Sequence, residues 1–228
     1  MAQSNQHVSI YNPKVIVYSI GLTTAILASM SIYRSHFVRF STSLDVPKTL
    51  FRTKHLHGKV TSVGDGDNFH FYHLPGGIFA GWGWIRETPE INKFRKLKNK
   101  TIHVRLCGVD APERSHFGKP SQPYSEEALQ WLRQFILGKK VKVKPLSVDQ
   151  YNRIVGRVFI FRWNGWNDVS EEMLRNGVAI VYENKSSAEF DGMKERYLKV
   201  ENKAKKKKKG LWGIERGLTP GEYKRLYK

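Results

Sequence analysis

The sequence predicts an α+β fold: a small β-barrel packed by three helices and preceded by one membrane-crossing helix. Three observations predict it. From Val15 to Tyr33 there is no charged residue. Beyond residue 55, short stretches alternate apolar and polar side chains between clusters of turn formers, the period-two pattern of half-buried strands. Among and after those stretches, apolar residues recur at spacings of three and four, the period of an amphipathic helix.

Taken in order, residues 1–14 form a short polar tail. Residues 15–33 as a helix span roughly 28 Å, close to the thickness of a bilayer core. Pro13 can start this helix, and Lys14 and Arg34 bracket it. Ser19, Thr23, Thr24, Ser29 and Ser31 make it only moderately apolar, so a cleaved signal peptide and a buried soluble helix are the competing readings. A signal peptide fits poorly, because Lys14 is the only charge ahead of the run and no small-x-small cleavage site follows. Arg34, Arg39, Lys48, Arg52 and Lys54 follow the span where only Lys14 precedes it, which keeps the C-terminal part on the side of synthesis. Residues 34–55 read as a linker.

Leu56–Val63 reads as a strand, Gly64-Asp65-Gly66 as a tight turn, and Asn68–His73 as the partner strand with Phe69 and Phe71 on one face. Residues 74–100 are long for a hairpin connection and carry Trp82 and Trp84 among glycines, then a basic run. They read as an insertion, either disordered or a flap facing membrane or nucleic acid. Ile102, Val104 and Leu106 alternate with His103, Arg105 and Cys107, giving a third strand with Arg105 turned from the aliphatic face. Tyr124–Leu137 is a helix with Ser125 as its cap and Gly138 at its end. Val141–Leu146 and Ile154–Phe161 are two more strands, joined by the polar connection Asp149–Arg153. Trp163-Asn164-Gly165-Trp166 is a turn, Ser170–Asn176 a helix closed by Gly177, and Ser187–Lys208 a long helix stopped at Gly210. Residues 214–228 form a basic tail. Five strands with one intervening and two trailing helices fit the OB-type barrel plan.

Lys and Arg number 39 against 20 Asp and Glu, a net charge of +19, which favours a polyanionic partner: nucleic acid, or an anionic membrane surface. The basic run Lys203–Lys209 is a solvated helix end, a nucleic-acid contact, a membrane contact or a nuclear-targeting signal, the last opposed by the span. Cys107 is the only cysteine, so no internal disulfide forms, and its mid-strand place suits a packed small hydrophobe.

The stretch from Arg105 to Glu113 holds a guanidinium and two carboxylates within nine residues. Unbent, the chain would hold the Arg105 and Asp110 backbones roughly 16 Å apart; Gly108 lets it bend. Pro112 stiffens the corner that presents Asp110 and Glu113. Upstream, Gly64-Asp65-Gly66-Asp67 supplies a second acidic turn.

These motifs, with Tyr151-Asn152-Arg153, Gly177-Val178-Ala179, Val181-Tyr182 and Gly210-Leu211-Trp212-Gly213, make residues 56–213 resemble the staphylococcal-nuclease-like domain. With the N-terminal span added, the chain resembles the fungal membrane-anchored probable endonucleases of that family, single-pass membrane proteins assigned to the mitochondrion. The resemblance implies a Ca²⁺-dependent endonuclease acting on DNA and RNA with little sequence preference. It implies that Asp67 and Asp110 bind Ca²⁺, that Glu113 acts on the attacking water, and that Arg105 and Arg153 clamp the phosphate. Asp65 stays outside the metal shell as a turn former. Tyr151 and Tyr182 stand at nucleotide-binding positions, or else in the core. Asn68 and Ser170 depart from the family's common threonine and asparagine; Asn68 retains a side-chain oxygen for a metal or water contact, with the finer tuning of the site open to change. The competing functions are a catalytically inactive binding module of the same fold and a membrane-bound protein that reads anionic lipid.

Overall fold

A computed structural model describes residues 12–91, 94–115, 120–182, 188–214 and 222–223. Its elements in chain order are α1 (Pro13–His36), β1 (Leu56–Asp65), β2 (Asn68–His73), α2 (Phe94–Leu97), β3 (Ile102–Leu106), β4 (Val109–Asp110), α3 (Ser125–Ile136), β5 (Lys140–Val148), β6 (Ile154–Arg162), β7 (Gly165–Asp168), α4 (Val169–Asn176), β8 (Ile180–Val181) and α5 (Lys194–Lys206). The chain divides into two compact units, residues 1–38 and 39–228.

The first unit is α1. The Asn12 side chain caps it, accepting from the Lys14 amide at 3.0 Å, and Pro13 fills the first turn, where an N–H would go unused. Three of its hydroxyls are satisfied within the helix: Ser19, Thr23 and Thr24 each donate to the carbonyl one turn back at 2.8 Å. This is how a helix with several Ser and Thr residues stays compatible with an apolar surround. Residues 13–34 are long and apolar enough to cross a membrane.

In the second unit the strand order β3-β2-β1-β5-β6-β7 is closed by an additional pairing of β3 with β6. That pairing is parallel, with Arg105 beside Val155, while the other ladders are antiparallel. Five strands therefore form a barrel without a free edge between β3 and β6. Val60, Phe69, Phe71, Ile102, Val104, Val143, Ile154 and Val158 fill it, and Ala128, Leu129, Leu132 and Ile136 of α3 plug one side.

Several expectations need correction. Residues 39–55, read as linker, belong to the barrel unit: Val46 is buried, and Phe40, Leu50 and Phe51 pack against the core. Two short 3-10 turns, Ser43–Asp45 and Lys48–Leu50, have no amphipathic period and so escape pattern reading. The last long helix begins at Lys194 because Asp191 (φ 49°) and Gly192 (φ 77°) turn the chain; Ser187 lies outside the described residues. Ser125 does not cap α3: Tyr124, with φ 72°, holds that position, and Ser125 is the first helical residue. Only Trp163 and Asn164 make the turn after β6, since Trp166 belongs to the added strand β7. The 74–100 insertion carries structure of its own. A 3-10 turn at Gly77–Ala80 leads to a buried Trp82, whose indole N–H donates to the Pro75 carbonyl at 3.0 Å. Within 214–228, only Ile214, Glu222 and Tyr223 are described.

Candidate active site

The site lies where β1 turns into β2, where β3 ends, and where β5 turns into β6. Asn68 of β2 faces Arg105 of β3, and Arg105 pairs with Val155 of β6, so the register alone brings three loops to one end of the barrel. Gly66 is needed there, since a Cβ would come within 2.6 Å of the Ala111 methyl. Gly108 is needed for its own reason: at φ 70°, any Cβ would sit 2.8 Å from the Tyr197 ring. Beneath that bend, the buried Ser170 hydroxyl donates to the Cys107 carbonyl at 2.9 Å. Cys107 is buried and its thiol is pushed far above its ordinary range, chiefly by desolvation, so it packs and does not react.

Arg105 is the hub. Its Nε donates to Asp67 Oδ2 at 3.2 Å and its Nη2 to Asp110 Oδ1 at 3.2 Å. Burial works against the guanidinium charge, but the two aspartates outweigh it and hold the group above its ordinary value. Asn68 adjusts this arrangement, donating to Asp67 Oδ1 at 3.1 Å while its own oxygen meets His103 Nε2 at 3.1 Å. The departure from threonine therefore keeps Asp67 oriented.

Arg153 is held separately. Asp149 accepts from Arg153 Nε at 2.7 Å and from the amides of Tyr151 and Arg153, both at 2.9 Å. The Ser43 hydroxyl also donates to the Asn152 carbonyl, so the segment taken for a linker braces this loop. Arg105, Arg153, Tyr151 and Tyr182 line one cavity of about 670 Å³. The Tyr182 ring lies 4.9 Å from the Arg105 guanidinium carbon, and the Tyr151 ring 5.2 Å from that of Arg153. Tyr151 is exposed and so is not a core residue; Tyr182 is half-buried.

Glu113 sits on the stiff corner after Pro112. Gln122 fixes the backbone there, accepting from the Glu113 amide at 3.1 Å and donating its own amide to the Glu113 carbonyl at 2.8 Å. Asp65 forms the expected turn, accepting from the Gly66 amide at 2.8 Å. Its carboxyl is pushed up to about 6, first by burial and then by the charge of Asp67, with Glu113 adding to it. Asp149, Gln122 and Ser43 were missed by sequence reasoning. Only Asp149 left a signal there, an acid four residues before an arginine in a turn.

The arrangement suits a hard divalent cation. Asp67 and Asp110 are hard oxygen donors turned toward a common point, the Arg105 guanidinium. Among the described residues no three His, Cys, Asp or Glu side chains gather to hold a metal by themselves.

Comparison with known proteins finds relatives over nearly the whole chain. The model of the staphylococcal nuclease homologue family matches residues 103–213. The probable endonuclease LCL3 of Meyerozyma guilliermondii is 50% identical over 222 residues, covering 96% of each chain. The proteins of the same name from Candida albicans and Debaryomyces hansenii are each 50% identical as well. The first aligns over 228 residues, covering 99% of this chain and 96% of its own, and the second over 224 residues, covering 97% and 94%.

Proposed function

This chain belongs to the staphylococcal-nuclease-like family of fungal probable endonucleases LCL3, and from that premise we propose that it is a membrane-anchored, Ca²⁺-dependent endonuclease hydrolysing DNA and RNA with little sequence preference. One observation carries the proposal. Two arginines line a single cavity, and one of them is paired with both of the aspartates suited to a cation.

Bound Ca²⁺ would be held by Asp67 and Asp110 and would supply positive charge at the phosphate and at a coordinated water. Arg105 and Arg153 present paired N–H donors to the equatorial phosphate oxygens, where charge grows in the transition state. The Asp149 buttress keeps Arg153 in position before substrate arrives, so little ordering is needed at the moment of reaction. Glu113 accepts the proton of the attacking water as its oxygen bonds to phosphorus and the ester oxygen departs. Tyr151 and Tyr182 offer ring faces to sugars or bases, which explains tolerance of sequence and of both polymers.

The apolar helix α1 supports a single-pass anchor, and the motif resemblance described from the sequence is what suggests the mitochondrion as the place of action. An inactive binding module fits less well, because the acids and arginines are all present and Arg105 pairs with both aspartates. The test is to incubate the full chain in detergent with DNA and with RNA, adding Ca²⁺ or a chelator. Cleavage of both with Ca²⁺ alone is expected. Folded protein that cleaves neither overturns the reading.

A further inference from the structure

The end of the barrel away from the site has an unusual surface. Phe79 and Trp163 are 92% and 94% exposed, and Trp84, Ile85 and Phe161 are each more than 60% exposed. They come from two places in the sequence that the fold brings together. Ile78, Phe79 and Trp84 share a hollow with Lys140, which starts β5. The next residue, Val141, pairs with Ile160, so Lys140 lies beside Phe161, and Phe161 in turn pairs with Trp166 at 5.4 Å between rings. Lys142 caps the Trp166 ring at 3.7 Å. Solvated faces of soluble domains rarely gather this many large apolar groups. Aromatic side chains interleaved with lysines are the composition of a surface that sits among lipid headgroups.

The chain supplies the reason for a bilayer to be near. Only Phe37 and Val38 stand between His36, the last residue of α1, and Arg39. Arg39 is fixed at this same end of the barrel. Its guanidinium covers the Tyr72 ring at 3.8 Å and donates to the Lys100 carbonyl, and Tyr72 packs edge-on against Trp82 of the flap. The next amide, Phe40, donates to His73 Nδ1 at 3.1 Å. The tether is therefore fastened at the base of the aromatic flap. The site lies elsewhere: along β6, Phe161 is six residues beyond Val155, the neighbour of Arg105, a distance of ~20 Å.

We propose that the flap and the β6–β7 turn dock the domain onto anionic phospholipid, with Phe79, Trp84 and Trp163 among the headgroups and the cleft turned to the aqueous phase. This inference rests on the reading of α1 as a membrane span. Lys140, Lys142, Lys98 and Lys100 give the docking face the charge that anionic headgroups match.

The test uses the full chain with single cysteines carrying an environment-sensitive dye at Ser29, Phe79, Trp163 or Gln150, the buried Cys107 being protected from label. Each is placed in bilayers of equal parts phosphatidylcholine and phosphatidylglycerol, with nitroxide-bearing lipid as quencher. Labels at 29, 79 and 163 are expected to lose several-fold in intensity and the label at 150 to keep its own. Quenching at 29 without quenching at 79 and 163 overturns the docking and leaves the anchor standing. No quenching at 29 overturns the anchor and the docking with it. Labels at 79 and 163 that are shielded from an aqueous quencher yet untouched by the lipid nitroxide mean that a protein or a second copy covers the face, and the proposal fails. Quenching at 150 equal to that at 79 removes the orientation.

Discussion

At one end of the barrel a largely buried arginine touches two aspartates, and a second arginine is held by a third; at the other end, tryptophan and phenylalanine side chains stand in the open. Both ends are placed by the same strands. The site end gathers groups whose charge is costly to bury and balances them in pairs, as chemistry on a polyanion requires. The far end leaves apolar surface unbalanced, which serves a soluble domain only if something apolar lies against it. Charged groups in the barrel's cleft and rings at its base therefore point to two different partners, a phosphodiester and a lipid surface.

Changes at the site end should alter rate far more than stability. Glu113→Gln is expected to lower kcat on single-stranded DNA by roughly 10³-fold, since a positioned general base contributes on that order. The melting temperature should stay at the parent's value. Arg153→Lys is expected to cost roughly 10²-fold, because lysine keeps the charge but not the paired donors. Asp149→Asn should cost about tenfold through the loosened Arg153, and its rate should fall without a change in the Ca²⁺ concentration needed for half-activity.

A buried group sharpens the contrast from the far end. His73 is buried at the end of β2 and stacks on Phe40 with 5.0 Å between ring centres. It is pushed down to about 3 from an ordinary 6.5, chiefly by desolvation, with Arg39 and His57 adding to the effect. The unfolded chain therefore binds a proton that the folded one refuses. The stability this group protects is present above pH 6.5 and is lost as pH falls toward 3. At pH 5 the loss amounts to roughly 2 kcal/mol. Denaturant unfolding at pH 7 and pH 5 should show that loss in the parent and a smaller one in His73→Asn, which keeps an acceptor for the Phe40 amide. Smallest of all, Phe79→Ser and Trp163→Ser should change cleavage of a short oligonucleotide by less than about twofold and stability by no more than about 0.5 kcal/mol. A large loss of rate in either would tie the two ends together.

Much of this was legible in the sequence, and unevenly so. The strands were clear because Phe69, Phe71, Val104 and Ile154 alternate with polar neighbours. Arg105, Asp110 and Glu113 stood out because a glycine bend and a proline corner bring distant backbones together. What escaped was held by contacts far apart in sequence. The binding of Ser43 to Asn152, and of Phe40 to His73, leaves no local pattern, so residues 39–55 looked like a linker. Asp191 was hidden likewise: it accepts from Lys144 at 2.7 Å and from Arg157 at 3.4 Å, and the turn it forms displaces the start of α5. The exposed rings at 79, 84 and 163 were visible as residues, but their nearness depends on the register of β5 with β6, which the sequence does not state.

The central claim is that Asp67, Asp110 and the two arginines act on one phosphate, and its most direct test is a side-by-side cleavage rate at saturating Ca²⁺. The full-length parent and Asp110→Asn are compared on the same DNA, with melting curves to show that both are folded. The account predicts rapid cleavage by the parent and a loss of roughly 10³-fold in the variant, on the scale of removing a group that stabilises transition-state charge. A folded Asp110→Asn that cleaves as fast as the parent would contradict it.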